Sequence, residues 1–159
     1  MNNIFKIKNF YTIIFIFSLL SLLIALYIEF YLGYSPCKLC IYQRIPYLLA
    51  IFITFLGINY YKNLIWLYLL LIIFFLSLLL SGYHFGIEQE IFSEFSGCTG
   101  DSINITDKNE LLELLNSEVN SCKNVDFRIL GLSLATINFL LSFLIFILIF
   151  KVIKNEKNK

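Results

Sequence analysis

The residues most able to do chemistry lie in one short stretch, residues 35–44, with the sequence SPCKLCIYQR. Cys37 and Cys40 are separated by two residues, and Arg44 follows about one helical turn after Cys40. Two thiols at this spacing can close a small disulfide or share a metal ion, and a nearby cation favours a thiolate over a thiol. The stretch therefore predicts a redox-active or metal-binding pair and leaves that choice open.

A second pair of cysteines, Cys98 and Cys122, lies later in the chain, 24 positions apart. Two pairs on one face of a protein could pass a disulfide between them, form structural disulfides, or supply four thiolates to zinc. Zinc sites more often contain two close pairs of ligands, so we expect no metal. The single histidine, His84, could act as a proton shuttle to a reduced acceptor or serve only as an interfacial hydrogen-bonding residue.

The composition is that of a membrane protein. Of 159 residues, 59% are hydrophobic and only 14% are charged, whereas soluble domains have about 25% charged residues. An apolar helix of about 20 residues crosses the ~30 Å hydrocarbon core of a bilayer. The sequence therefore predicts an all-α fold, a four-helix transmembrane bundle that forms a single integral membrane domain over residues 1–159, with spans at about 10–31, 41–60, 64–84 and 129–150.

The distribution of charge predicts the orientation of the bundle. Seven lysines lie in the two tails and the connector 60–63, whereas the loop 85–128 carries nine carboxylates against three cations. Because basic residues favour the cytoplasmic side, both termini are expected there. The loops 32–40 and 85–128, and with them all four cysteines, then face outward.

The long outer loop contains a predicted helix of its own. Asp107 and Glu110 have the spacing of a capping box, and the leucines that follow, with Val119, share one helical face. We expect a short amphipathic helix here, lying either on the outer leaflet or over the mouth of the bundle.

Two charged residues fall inside the predicted spans, Glu29 near the end of the first and Arg44 in the first turns of the second. Glu29 is expected to reach the membrane interface. An unpaired cation at the depth of Arg44 is costly, which favours a functional role over the alternative of an anchor at the outer interface.

These motifs, in this order, resemble the disulfide bond formation protein B (DsbB) family, the bacterial quinone-dependent oxidants of periplasmic thiol oxidases. The resemblance covers about residues 10–150. It is carried by PCKLCIYQR at 36–44, which matches the family's Cys-x-x-Cys-(three residues)-Arg signature, YHFGIEQ at 83–89, GCT at 97–99, SC at 121–122, LGLSLA at 130–135 and Asn138.

The resemblance implies an enzyme, a thiol:quinone oxidoreductase of the bacterial inner membrane with cytoplasmic termini and periplasmic cysteines. Its partners would be a periplasmic DsbA-like thiol oxidase and the membrane lipid, with no nucleic acid involved. Its cofactor would be a quinone, either ubiquinone or menaquinone. Arg44 would lie beside the quinone, and His84 could carry a proton to a quinol oxygen.

The resemblance also implies a role for each cysteine. The dithiol of the soluble oxidase would attack a Cys98–Cys122 disulfide, and Cys98 would form the mixed disulfide. Cys122 would then exchange with Cys37, releasing Cys40 as a thiolate against the quinone ring.

Two other functions remain open at this stage. The first is a quinone reductase of the vitamin K epoxide reductase type, which is also a four-helix bundle with two cysteine pairs. Its Cys-x-x-Cys lies late in the chain, however, whereas Cys37 and Cys40 precede the second span. The second is a non-catalytic membrane scaffold held by two structural disulfides, which would show no quinone-linked turnover.

Overall fold

The computed structural model describes residues 2–93, 122, 128–129 and 131–158. Within these residues, four helical segments are each long and apolar enough to cross a membrane, so the predicted all-α transmembrane bundle is confirmed. Cys98 and the predicted amphipathic helix of the long loop lie outside the described residues. The described elements are α1 (Asn2–Phe30), α2 (Lys38–Tyr42), α3 (Arg44–Asn59), α4 (Ile65–Glu88), β1 (Arg128–Ile129), β2 (Leu132–Ser133) and α5 (Leu134–Lys157).

The second span consists of two helices, α2 and α3, joined at Gln43. Gln43 keeps helical dihedral angles, with φ −67° and ψ −16°, and it caps both helices. Pro46 explains the break, because its ring nitrogen has no hydrogen to donate to the carbonyl of Tyr42 four residues earlier. The short helix α2 therefore carries the cysteine pair as a separate turn at the end of the bundle.

The ends of α4 and α5 differ from the apolar runs that predict them. Helix α4 continues to Glu88, one turn beyond His84. Helix α5 begins only at Leu134, because Gly131, with φ +82°, forms the turn of a two-strand antiparallel hairpin and Ser133 caps the helix through its hydroxyl. The end of α4 and the start of α5 thus bring the polar side chains of Glu88 and Ser133 together near the cysteine pair.

The bundle packs in chain order: α1 against α3, α3 against α4, and α4 against α5. Helices α1 and α3 approach closely at Gly57, where an added Cβ would lie 2.6 Å from the ring of Tyr11. Large apolar side chains cover the outer surface, for example Leu48 and Phe52, which are 62% and 65% exposed. An apolar outer surface of this extent is the surface that a bilayer covers.

A stripe of polar side chains runs through the interior towards the cysteine end. The hydroxyl oxygens of Ser77 in α4 and Ser142 in α5 are 3.0 Å apart. Ser142 donates to Asn138, which lies one turn nearer the start of α5. Tyr47 donates to the same Asn138 oxygen from α3. Because buried polar groups are costly unless they are hydrogen-bonded, this stripe ties three helices together, and it continues to Gln43 and His84 beside the cysteine pair.

Candidate functional site

Cys37 and Cys40 are free thiols at the start of α2. Cys37 is the N-cap residue, and its sulfur accepts a hydrogen bond of 3.3 Å from the backbone N–H of Cys40. The two sulfur atoms are 3.0 Å apart, with the Cys40 thiol and the Cys37 sulfur in direct contact. Cys37 is buried and Cys40 is half-buried. The first turn of α2 therefore holds both sulfurs within reach of disulfide formation.

The surroundings of Cys37 favour its thiolate. They lower its pKa from the ordinary 9.0 to about 4, chiefly through the hydrogen bond with the Cys40 thiol. The contact with His84 lowers the pKa further, while burial opposes both effects. Because the thiolate form takes part in disulfide exchange, as attacking or as leaving group, Cys37 is the sulfur of the reduced pair that is suited to exchange with another disulfide.

Cys122 brings a disulfide to this thiolate. Cys122 is disulfide-bonded and only 2% exposed, and its bonding partner lies outside the described residues. Its sulfur, the sulfur of Cys37 and a ring nitrogen of His84 all lie within 4.8 Å of one another. This is also the spacing of a metal site, but a sulfur in a disulfide is not a thiolate ligand, so the arrangement fits disulfide exchange better than zinc.

His84 is in the interior, 2% exposed, rather than at the surface. Its Nε2 is 3.7 Å from the sulfur of Cys37 and 3.8 Å from Oε1 of Glu88, while its Nδ1 is 2.9 Å from Nε2 of Gln43. The sulfur of Cys37 and the buried carboxylate of Glu88 thus both face Nε2 of the imidazole.

Arg44 forms an ion pair with Glu29 of α1. Both side chains are partly buried, with 22% and 25% of their surface exposed. The pairing corrects two expectations: Arg44 is not an unpaired cation, and Glu29 is not simply a carboxylate at the interface. A charge at this depth is tolerated because an opposite charge on the neighbouring helix meets it.

A cavity of about 340 Å³ joins these groups. Its lining includes the polar groups Cys37, Cys40, Arg44 and His84 and apolar side chains from α1 and α5, among them Leu22, Ala25, Ile28, Leu134 and Leu141. A largely apolar cavity with a few converging polar groups is typical of a site for a small hydrophobic ligand. All the predicted site residues in the described part of the chain, namely Cys37, Cys40, Cys122, Arg44 and His84, line it.

Sequence reasoning did not select Gln43, Glu88 or Asn138 as site residues. Glu88 lies four residues after His84 and so shares its helix face. Asn138 is an amide inside an otherwise apolar span, and intramembrane polar residues usually have a function. Gln43 lies three residues after Cys40, again on one helical face. The two spacings and the polar residue within an apolar span are the signals that could have identified Gln43, Glu88 and Asn138.

The fold and the site together define a class: an integral membrane protein that holds a dithiol beside a disulfide, as a membrane thiol oxidoreductase does. The family model described as disulfide bond formation protein DsbB matches residues 7–152. The chain belongs to this family of membrane proteins that act in disulfide-bond formation. It is also 30% identical over 131 residues to the uncharacterized protein RP370 of Rickettsia prowazekii (strain Madrid E). The aligned region covers 79% of this chain and 75% of that protein.

The lowered pKa of Cys37 makes a prediction for its alkylation by a small thiol reagent. In a variant with Cys40→Ser, Cys98→Ser and Cys122→Ser, Cys37 is the sole thiol, and the serine hydroxyl still donates to it. The alkylation rate should stay constant above about pH 6 and fall only as the pH is lowered towards the pKa near 4. Replacing Cys40 by Ala instead should move the midpoint up by about one unit or more, because the donor is lost. Equal midpoints near the ordinary thiol pKa of 9.0 in both variants would contradict the assignment of Cys37 as the thiolate.

Proposed function

We propose that this protein reoxidises a periplasmic DsbA-like thiol oxidase and passes the two electrons to a membrane quinone. The observation that carries the proposal is the approach of two sulfurs, because Cys37 contacts its own partner Cys40 and also lies within 4.8 Å of the disulfide-bonded Cys122. Membership of the family supports a role in disulfide-bond formation. Because Cys37 lies close to both Cys40 and Cys122, it can exchange a disulfide between its own pair and the pair that contains Cys122.

The exchange proceeds by a series of thiolate attacks. A thiolate of the soluble oxidase attacks Cys98 of a Cys98–Cys122 disulfide, and Cys122 leaves as a thiolate. Cys122 then attacks Cys37 of an oxidised Cys37–Cys40 pair, which releases Cys40. The second thiol of the oxidase attacks the mixed disulfide and frees Cys98, which attacks Cys122 and restores the first disulfide.

The dithiol left behind holds the two electrons taken from the oxidase. Cys37 and Cys40 are then both reduced, while Cys122 is again in a disulfide with Cys98. Oxidation of this dithiol returns the Cys37–Cys40 disulfide for the next cycle. Each turnover therefore needs one two-electron acceptor, which the quinone supplies.

The cavity beside the thiols fits a quinone ring. Its walls are apolar, its volume is about 340 Å³, and Cys40 and Arg44 both line it. The guanidinium has five N–H donors, so Arg44 can pair with Glu29 and still offer donors to a carbonyl oxygen. Arg44 would thus bind and orient the ring, and the half-buried sulfur of Cys40 would face it. Turnover of the purified protein with ubiquinone and with menaquinone, measured side by side, distinguishes the two quinones.

The proposed location is the bacterial inner membrane, with both termini in the cytoplasm and the cysteines in the periplasm. The lysine-rich tails and the acidic loop 85–128 support this orientation. An oxidising compartment is also where a disulfide at Cys122 persists. A non-catalytic scaffold with two structural disulfides is less well supported, because membership of the family indicates a role in disulfide-bond formation.

The proposal is tested by quinone-dependent oxidation of a reduced thioredoxin-fold oxidase by the purified protein. Cys37→Ser and Cys40→Ser should each abolish turnover, because either change removes the disulfide that receives the electrons. Lys38→Ala, at an exposed position between the two cysteines, is the matched control and should retain activity. Full activity in either cysteine variant would rule out the mechanism.

The role of Arg44 makes a separate prediction. Arg44→Gln should raise the KM for quinone by about tenfold or more, since a hydrogen bond from a charged group is worth about 1.5–3 kcal/mol. The KM for the soluble oxidase should change little. Glu29→Gln leaves the guanidinium in place and should affect the KM for quinone less than Arg44→Gln does. An unchanged quinone KM in Arg44→Gln would return Arg44 to the role of an interfacial anchor.

A further inference from the structure

We propose that Gln43 and Asn138 are positioning residues that hold His84 in a single tautomer, with its hydrogen on Nε2, so that this N–H stabilises the anion on the sulfur of Cys37. The inference deepens the proposed function and rests on it in one respect, the use of Cys37 as the sulfur that exchanges with Cys122. It follows from the direction of a chain of hydrogen bonds through α3, α4 and α5.

The chain begins at Asn138, whose two amide ends have different neighbours. Its Oδ1 accepts hydrogen bonds from the hydroxyls of Tyr47, at 2.5 Å, and Ser142, at 3.3 Å. Its Nδ2 donates to Oε1 of Gln43 at 2.9 Å. With two hydroxyl donors on its oxygen, Asn138 presents its NH₂ group to Gln43, and this fixes which end of the Gln43 amide faces the histidine.

The second link sets the tautomer. Because Oε1 of Gln43 faces Asn138, its NH₂ group faces Nδ1 of His84 at 2.9 Å. An amide NH₂ group can only donate, so Nδ1 must accept and carries no hydrogen. In a neutral imidazole the hydrogen is then on Nε2.

The groups around Nε2 support the same assignment independently. Nε2 faces the sulfur of Cys37 at 3.7 Å and Oε1 of Glu88 at 3.8 Å. A thiolate and a carboxylate both accept hydrogen bonds, so the arrangement is complementary to an N–H at this position. Glu88 is held in turn by the hydroxyl of Ser133, which donates to its other oxygen at 2.5 Å.

Burial makes this arrangement hard to reverse. Gln43, Tyr47 and Asn138 are 6%, 6% and 9% exposed, and His84 is 2% exposed. Placing the hydrogen on Nδ1 would set two donors against each other, and water has little access to relieve the conflict. Both amides would have to turn over together for the other tautomer to form.

The chemical consequence concerns the departure of Cys37 from its disulfide with Cys122. When Cys98 attacks Cys122, the Cys37–Cys122 bond breaks and its electron pair goes to the sulfur of Cys37. The N–H of His84 donates to that anion, and the proton stays on nitrogen throughout. The Cys40 thiol acts on the Cys37 anion in the same sense as His84. The carboxylate of Glu88, 3.8 Å from Nε2 of His84, competes for the same N–H. Arg44 and Glu29 lie in the same cavity as a compensated pair.

The tautomer can be measured directly, because His84 is the only histidine in the chain. Protein labelled with ¹⁵N-histidine in detergent micelles should give one bare nitrogen, Nδ1, and one protonated nitrogen, Nε2. Gln43→Met removes the donor to Nδ1 at similar side-chain volume and should give a mixture of tautomers. Gln89→Met is the matched control, since Gln89 is exposed at the end of α4 and should leave the spectrum unchanged. A hydrogen on Nδ1 in the wild-type spectrum overturns the proposal without the need of any variant.

The effect on the thiolate is measured in the variant in which Cys37 is the sole thiol. Gln43→Met in that background should raise the pH midpoint of alkylation by about one unit, a tenfold loss of thiolate at a pH below both midpoints. Gln89→Met should not move it. An unchanged midpoint in Gln43→Met overturns the link from the amides to the sulfur. Neither measurement involves quinone, so a failure of quinone turnover and a failure of this inference are separate results.

Discussion

The approach of the Cys37 sulfur to the Cys122 sulfur is the contact on which the rest of the structure depends. Disulfide exchange needs an attacking sulfur close to the bond that it breaks, in surroundings that stabilise its anion. In this protein Cys37 caps the short helix α2 at one end of the second span. Cys122 is buried close to Cys37, although the two residues are 85 positions apart in the chain. The break at Gln43 and the late start of α5 after Gly131 both serve this contact, because each ends a span near the same point.

Burial of polar groups is the cost of building such a site inside an apolar bundle, and the hydrogen-bond network offsets it. The network runs without interruption from Ser77 through Asn138 and Gln43 to His84, and each member in turn satisfies the next. The ion pair of Arg44 and Glu29 meets the same requirement for charges. Groups that stabilise the fold therefore also direct the chemistry, because the same hydrogen bonds that satisfy buried amides determine which histidine nitrogen faces the thiolate.

Much of the fold could be predicted from the sequence, because hydropathy acts locally along the chain. The four spans and the pairing of Cys37 with Cys40 depend only on residues that are close together in the chain, so the sequence predicts them directly. The partners of Arg44, His84 and Asn138 could not be predicted in this way. Their contacts join residues 15, 41 and 95 positions apart, and those contacts depend on how the helices rotate against one another. The start of α5 was hidden for a different reason, since Gly131 and Ser133 interrupt the helix within a run that is otherwise apolar.

The most direct test of the central claim is the formation of a single disulfide between Cys37 and Cys122. In the variant with Cys40→Ser and Cys98→Ser, only these two thiols remain, and mild oxidation followed by peptide mass spectrometry measures their joining. The structure predicts rapid formation of the Cys37–Cys122 bond, about tenfold or more faster than the Cys40–Cys122 bond in the variant with Cys37→Ser and Cys98→Ser. Equal rates in the two variants, or no bond between Cys37 and Cys122, would contradict the exchange of a disulfide between the two pairs through Cys37.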